Sequence, residues 1–181
     1  LSTQFDQGIR QIELDIFADT KGGRYAHPSG PALVQKAGLP ADPPFDPTGA
    51  MLQPGFKVMH VQDIDYRSVC QPFTACLQEV RRWSSAHPGH VPIYILLETK
   101  QDNPAPGKLT DAEPYTAATW DALDEAIHSV FQAGEMITPD DVRGDFVTLR
   151  EAVQKRGWPT LAEARGKVVF LMDQRNVSSA Y

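Results

Sequence analysis

Hydrophobic and polar positions alternate most regularly near the start of the chain. Within Ile9–Phe17, Ile12, Leu14 and Ile16 fall on one side and Gln11, Glu13 and Asp15 on the other, the two-residue period of a strand. Lys57–Val61 reads as a second, shorter strand. A helical period governs Phe73–Ala86. There Phe73, Cys76, Leu77, Val80 and Trp83 form one stripe, and His87, Pro88 and Gly89 end the helix. The run VPIYILLETK at 91–100 is almost continuously apolar, as expected of a parallel strand buried on both faces. Trp120, Leu123, Ile127, Val130 and Phe131 mark a helix over Ala117–Ala133, with Thr119 capping its start and Asp121 in its first turn. Thr148 with Glu151, and Thr160 with Glu163, have the capping-box spacing and predict two short helices, with Gly157 and Gly166 at their ends. Lys167–Met172 reads as the last strand.

Between the first two strands lies Ala18–Gly55, rich in Gly and Pro, with PSGP, LPADPPFDPTG and QPG. Proline removes ladder donors and fixes φ, so this segment is a long loop, and loops of that length in compact domains are often functional. The order is strand, loop, strand, helix, strand, helix, short helices, strand. This α/β alternation predicts parallel strands. Four such strands fit part of a (β/α) barrel or an open doubly wound sheet, since a complete eight-stranded barrel takes about 250 residues. The 181 residues are those of one domain.

Composition removes several function classes. With 41% hydrophobic and 22% charged residues the chain is neither disordered nor fibrous. The 17 basic residues against 23 acidic ones give a net charge of −6 and form no cationic block, which argues against a nucleic-acid partner. An anionic phosphate substrate would then need a local cation. The chain opens at Leu1 with no charged-then-apolar leader, so a processed chain or a portion of a larger domain is expected. Cys70 and Cys76 are too far apart for a C-x-x-C pair. A local disulfide at the helix entrance is the first reading, with two buried thiols or a zinc ligand as alternatives. A disulfide would imply an oxidising compartment.

Candidate chemistry concentrates on the strands. Glu13 and Asp15 share a face of one strand, where two carboxylates repel each other. A hard cation such as Ca²⁺ or Mg²⁺ relieves that repulsion, as does protonation of one acid or a wet edge face. His60 closes the second strand. Glu98 follows seven nearly unbroken apolar residues and needs a partner, either a metal or Lys100 on the same face. Strand carboxyl ends gather on one side of a parallel sheet. Glu13, Asp15, His60 and Glu98 are therefore expected to converge on a metal–carboxylate centre with a histidine proton shuttle, suited to displacement at phosphorus. Lys100, Asp173 and Arg175 are candidate substrate contacts by their place at strand ends.

Three stretches in order carry a family resemblance: GIRQIELDIFAD (8–19), PGFKVMHVQDIDYRS (54–68) and HPGHVPIYILLETK (87–100). They resemble the bacterial calcium-dependent phosphoinositide phospholipase C family, of the TIM-like phosphatidylinositol phosphodiesterase superfamily. DYRSVCQPFTACL and GKVVFLMDQRN extend the likeness over nearly the whole chain. The resemblance implies Ca²⁺ as cofactor, Glu13, Asp15 and Glu98 as its ligands, and His60 as the second catalytic histidine. It implies cleavage of phosphatidylinositol-type lipids, or a soluble inositol phosphodiester, to diacylglycerol or its counterpart and an inositol phosphate formed through a cyclic diester. A lipid substrate would bring peripheral membrane contact, and the cysteine pair with the calcium requirement points to a secreted or periplasmic location. The family's first histidine, with an adjacent asparagine ligand, lies on a strand before the E-L-D strand. Only seven residues precede Gly8, and none is histidine or asparagine. The expectation is one partial barrel domain over 1–181, holding strands two to five, with the long loop at 18–56. A glycerophosphodiester phosphodiesterase and a catalytically inactive module binding calcium or inositol phosphate are the alternative readings.

Overall fold

The computed structural model describes residues 1–173, and Arg175 lies outside the described residues. The chain folds as α1 (Ser2–Asp6), β1 (Gln11–Asp19), α2 (Gly30–Lys36), β2 (Gly55–Val58), α3 (Phe73–Ala86) and β3 (Ile93–Thr99). It continues through α4 (Ala117–His128), α5 (Pro139–Arg143), α6 (Leu149–Lys155), α7 (Leu161–Ala164) and β4 (Val168–Met172). The four strands form one open sheet in the order β2-β1-β3-β4.

β1, β3 and β4 are parallel, as the α/β alternation predicts, but β2 runs antiparallel to β1. The connection explains the reversal. A parallel return must cross to the opposite end of the sheet, usually by a helix packed on its face. Here Asp19 pairs with Gly55, so the long loop leaves and re-enters at the same end. Its seven-residue α2 is no crossover helix. A further correction concerns β3. Ile93, Ile95, Leu97 and Thr99 are buried, while Tyr94 is 41% exposed and Leu96 and Glu98 are half-buried. The strand is therefore covered on one face only.

That covered face builds the main core. Ile12, Leu14 and Ile16 of β1, Phe56 and Val58 of β2, and Ile93, Ile95 and Leu97 of β3 pack under Phe73, Cys76, Leu77 and Val80 of α3 and Trp120 and Leu123 of α4. The α3 stripe follows the helical period read from the sequence. Thr116 rather than Thr119 caps α4, its side chain accepting from the Thr119 N–H, and the helix stops at His128, short of Val130 and Phe131. Thr160 and Glu163 form the reciprocal capping box, and Thr148 accepts from the Glu151 N–H.

The opposite face of the sheet divides in two. Near the end of β1, the long loop folds back and buries Phe17 and Met59 under Tyr25, Met51 and Tyr66. In this layer the Lys57 ammonium, wholly buried, sits 3.3 Å from Asp19. Toward the start of β1 the face is open, and Glu13, Asp15, Tyr94, Leu96 and Glu98 line it.

Cys70 and Cys76 form a disulfide that ties the segment before α3 to the helix itself. Beside it, Gln71 closes the outer edge of β2. Its Oε1 accepts from the Val58 N–H at 3.0 Å, and its Nε2 donates to the Val58 carbonyl. The side-chain amide thus occupies the position of a neighbouring strand.

Candidate metal centre

The site grows from the register of β1 against β3. Asp15 pairs with Glu98 across the parallel ladder, and Glu13 precedes Asp15 by one full pleat on the same face. Ligand oxygens of Glu13, Asp15 and Glu98 consequently lie within 4.8 Å of one another. The sequence pattern places these groups at strand ends. Glu13 and Asp15 instead occupy the middle of the nine-residue β1, and alignment across the sheet brings the acids together.

β2 supplies the histidine because it runs backwards. Val58 lies opposite Ile16, the Met59 N–H donates to the Asp15 carbonyl at 3.1 Å, and the chain then delivers His60 beside Asp15. Glu13, Asp15, His60 and Glu98 line one open cavity of about 430 Å³. Arg67, Ser68 and Val69 also line it.

His60 is held by a residue that the sequence pattern alone does not single out. Its Nδ1 lies 2.8 Å from Asp65 Oδ2. An ionised carboxylate only accepts, so Nδ1 carries the proton and Nε2 is the basic nitrogen. A tight turn makes this contact, since the Val61 N–H donates to the Asp65 carbonyl and the Asp65 N–H donates to the Val61 carbonyl. Asp63, at φ 70°, sits within the turn and anchors it. Its buried carboxylate accepts from the Ser29 N–H at 3.0 Å on the long loop and from the Thr110 N–H at 2.5 Å. Gln62 also donates to the Thr110 carbonyl, at 3.0 Å. Asp63→Ala would leave two N–H groups unpaired and put a less tolerant residue at positive φ. We expect it to destabilise the protein by about 2–4 kcal/mol in urea unfolding, and Asp63→Asn by less.

Lys100 enters the acidic group from β3. Its Nζ stands 2.7 Å from Glu98 Oε2 and 3.3 Å from Asp15 Oδ2. Burial raises the Asp15 pKa above the ordinary carboxylate range, and the attraction of Lys100 offsets only part of that rise. Burial alone would lower the Lys100 pKa, but its pairing with Glu98 and Asp15 outweighs this and the net shift is upward. The two shifts differ in origin, burial for Asp15 and pairing with carboxylates for Lys100. One cation faces several crowded acids.

The donor set fits a calcium ion. All three groups offer hard carboxylate oxygen, and Ca–O distances of 2.3–2.6 Å allow ligand oxygens up to about 4.6–5.2 Å apart. The observed 4.8 Å spread falls within that limit. Beyond this cavity lies a larger one of about 590 Å³, shared by His60 and Glu98 and lined further by Gln62, Lys100, Gln101 and Asp173.

The sheet thus sets three carboxylates and a histidine held by Asp65 around one open cavity. The sequence matches the family described as phosphoinositide phospholipase C, Ca²⁺-dependent, over residues 1–181, and the chain belongs to that family. Among solved structures it is similar to the apo calcium-dependent phosphoinositol-specific phospholipase C of a Gram-negative Pseudomonas species, at 23% identity and a TM-score of 0.61. That alignment covers 96% of this chain and 50% of the other. The myo-inositol complex of the Pseudomonas enzyme aligns at 24% identity and a TM-score of 0.59, covering 94% of this chain and 50% of that one. A Ca²⁺-dependent phosphatidylinositol-specific phospholipase C from Streptomyces antibioticus aligns at 25% identity and a TM-score of 0.53, covering 94% and 46%. The chain thus spans about half the length of these structures. No curated protein matches the sequence. No helix among the described residues is long and apolar enough to cross a membrane.

Proposed function

We propose that this chain carries the calcium-binding and proton-transferring portion of a phosphodiesterase that cleaves inositol phospholipids, on part of a TIM-like barrel. The observation that supports this reading is the meeting of Glu13, Asp15 and Glu98 within 4.8 Å on the cavity that His60 also lines. The three carboxylates would hold Ca²⁺. When bound, the ion supplies positive charge that steadies developing negative charge at phosphate and eases ionisation of an attacking hydroxyl.

The chain's own groups do the rest. With Nδ1 of His60 engaged by Asp65, its Nε2 serves as the proton carrier between the attacking and the leaving oxygen. Asp65 fixes the ring and stabilises the imidazolium that forms. A ring hydroxyl of the inositol attacks the neighbouring phosphorus and gives its proton to His60 Nε2, the P–O bond to the diacylglycerol breaks, and the imidazolium passes that proton to the leaving oxygen. The products are diacylglycerol and an inositol cyclic phosphate. Lys100 and Arg67 are basic residues that line the two cavities and are placed to meet the phosphate. The Cys70–Cys76 disulfide accords with a secreted or periplasmic location.

The test is release of soluble inositol phosphate from phosphatidylinositol in mixed micelles by the full-length protein, with Ca²⁺ and with a chelator. Ca²⁺-dependent release supports the reading. Turnover of deacylated glycerophosphoinositol alone would replace it with a glycerophosphodiesterase, and Ca²⁺ binding without turnover would leave a binding module. Within the active protein, Asp65→Asn is expected to lower kcat by about 10- to 100-fold with little change in KM, the scale usual for losing a partner that orients a functional histidine.

A further inference from the structure

The three acids already hold a positive charge. The Lys100 ammonium contacts Glu98 at 2.7 Å and Asp15 at 3.3 Å, two of the three residues assigned to the metal. Ammonium and metal ion therefore compete for the same carboxylates. Building on the calcium-site reading above, we propose that Lys100 is an internal placeholder, seated among the acids when the metal is absent and displaced when Ca²⁺ binds.

Three features make this exchange workable. Carboxylates crowded within 4.8 Å repel one another without a cation, so the empty site needs a counter-charge to keep its shape. An ammonium on a flexible four-carbon stem can supply it and can also leave, because a divalent ion holds oxygen ligands more strongly than one charge does. Finally, the move requires no backbone change. The Lys100 N–H stays bonded to the Ile16 carbonyl at 2.9 Å, while its side chain borders the 590 Å³ cavity beside His60, Gln62 and Gln101. The displaced ammonium has space there, on the side where an anionic phosphodiester would approach His60. Metal binding would then do two things at once: fill the acidic group and release a cation toward the substrate.

The experiment is calorimetric Ca²⁺ titration, with thermal melting in chelator and in Ca²⁺, of the full-length wild type, Lys100→Met and Lys100→Gln at neutral pH. With no ammonium to displace, both variants should bind Ca²⁺ about tenfold tighter than wild type, on the scale of a half-buried ion pair. They should also melt lower than wild type in chelator and gain more Tm on adding Ca²⁺. Binding by the variants with none by wild type would support the placeholder still more strongly. Ca²⁺ binding by wild type with equal or weaker binding by both variants would overturn the placeholder and leave the metal site standing. Absence of binding in all three proteins would remove the metal site, and the placeholder with it.

Discussion

His60→Ala is expected to lower turnover of phosphatidylinositol by the full-length protein about 10²–10⁴-fold, the usual cost of losing an acid–base group. Its Ca²⁺ affinity should stay near that of wild type. The separation follows from the geometry. His60 lines the same cavity as the acids, but its paired nitrogen is committed to Asp65 at 2.8 Å, and it lies just past the end of β2 rather than on the β1–β3 ladder. A rate near wild type would exclude His60 from the chemistry. A parallel loss of Ca²⁺ binding would make it a ligand instead of a proton carrier.

Asp15→Asn should have the largest effect on the metal itself, weakening Ca²⁺ binding about 100-fold in calorimetric titration. Asp15 is the middle member of the group. It lies opposite Glu98 across the ladder, one pleat from Glu13, and in contact with Lys100. The amide keeps the shape, removes one charge and leaves Lys100 bound to Glu98 alone. Glu13 is exposed, so Glu13→Gln should cost less, about tenfold. Equal affinity in Asp15→Asn and wild type would place the metal elsewhere.

The elements that depend on side-chain period were legible in the sequence. The α3 stripe gave Phe73–Ala86 with the bounds observed, and the alternation around Ile12, Leu14 and Ile16 located β1 to within two residues at each end. Periodicity carries no direction, however. The antiparallel course of β2 depends on where a Pro-rich loop re-enters the sheet, which Lys57 and Val58 do not encode locally. The same limit applies to burial. An apolar run such as that before Glu98 looks alike whether one face or two are covered.

The site was legible as a set of residue types and not as a geometry. Glu13 and Asp15 announced themselves by sharing a strand face, and Glu98 by ending an apolar run. Their meeting required the Asp15–Glu98 register, a property of two strands distant in sequence. Of the two readings of Glu98 in the sequence, the structure contains the ion pair with Lys100, at the place where the neighbouring acids meet. Asp65 escaped notice because its link to His60 exists only once Asp63 adopts positive φ and closes the turn. The D-I-D spacing after His60 is the local signal of that reversal, and it points to the partner.

The glutamine amide laid along Val58 makes the sheet lopsided. On one flank a side chain satisfies the backbone of Val58 as a strand would. On the other flank Met136 bridges Val168, while Val169–Met172 offers a free border among the described residues, with Leu171 and Met172 facing outward. The margin beside that border is apolar, with Tyr94 and Leu171 both exposed, so a strand added to β4 would meet a hydrophobic flank and the Val58 side a hydrogen-bonded one.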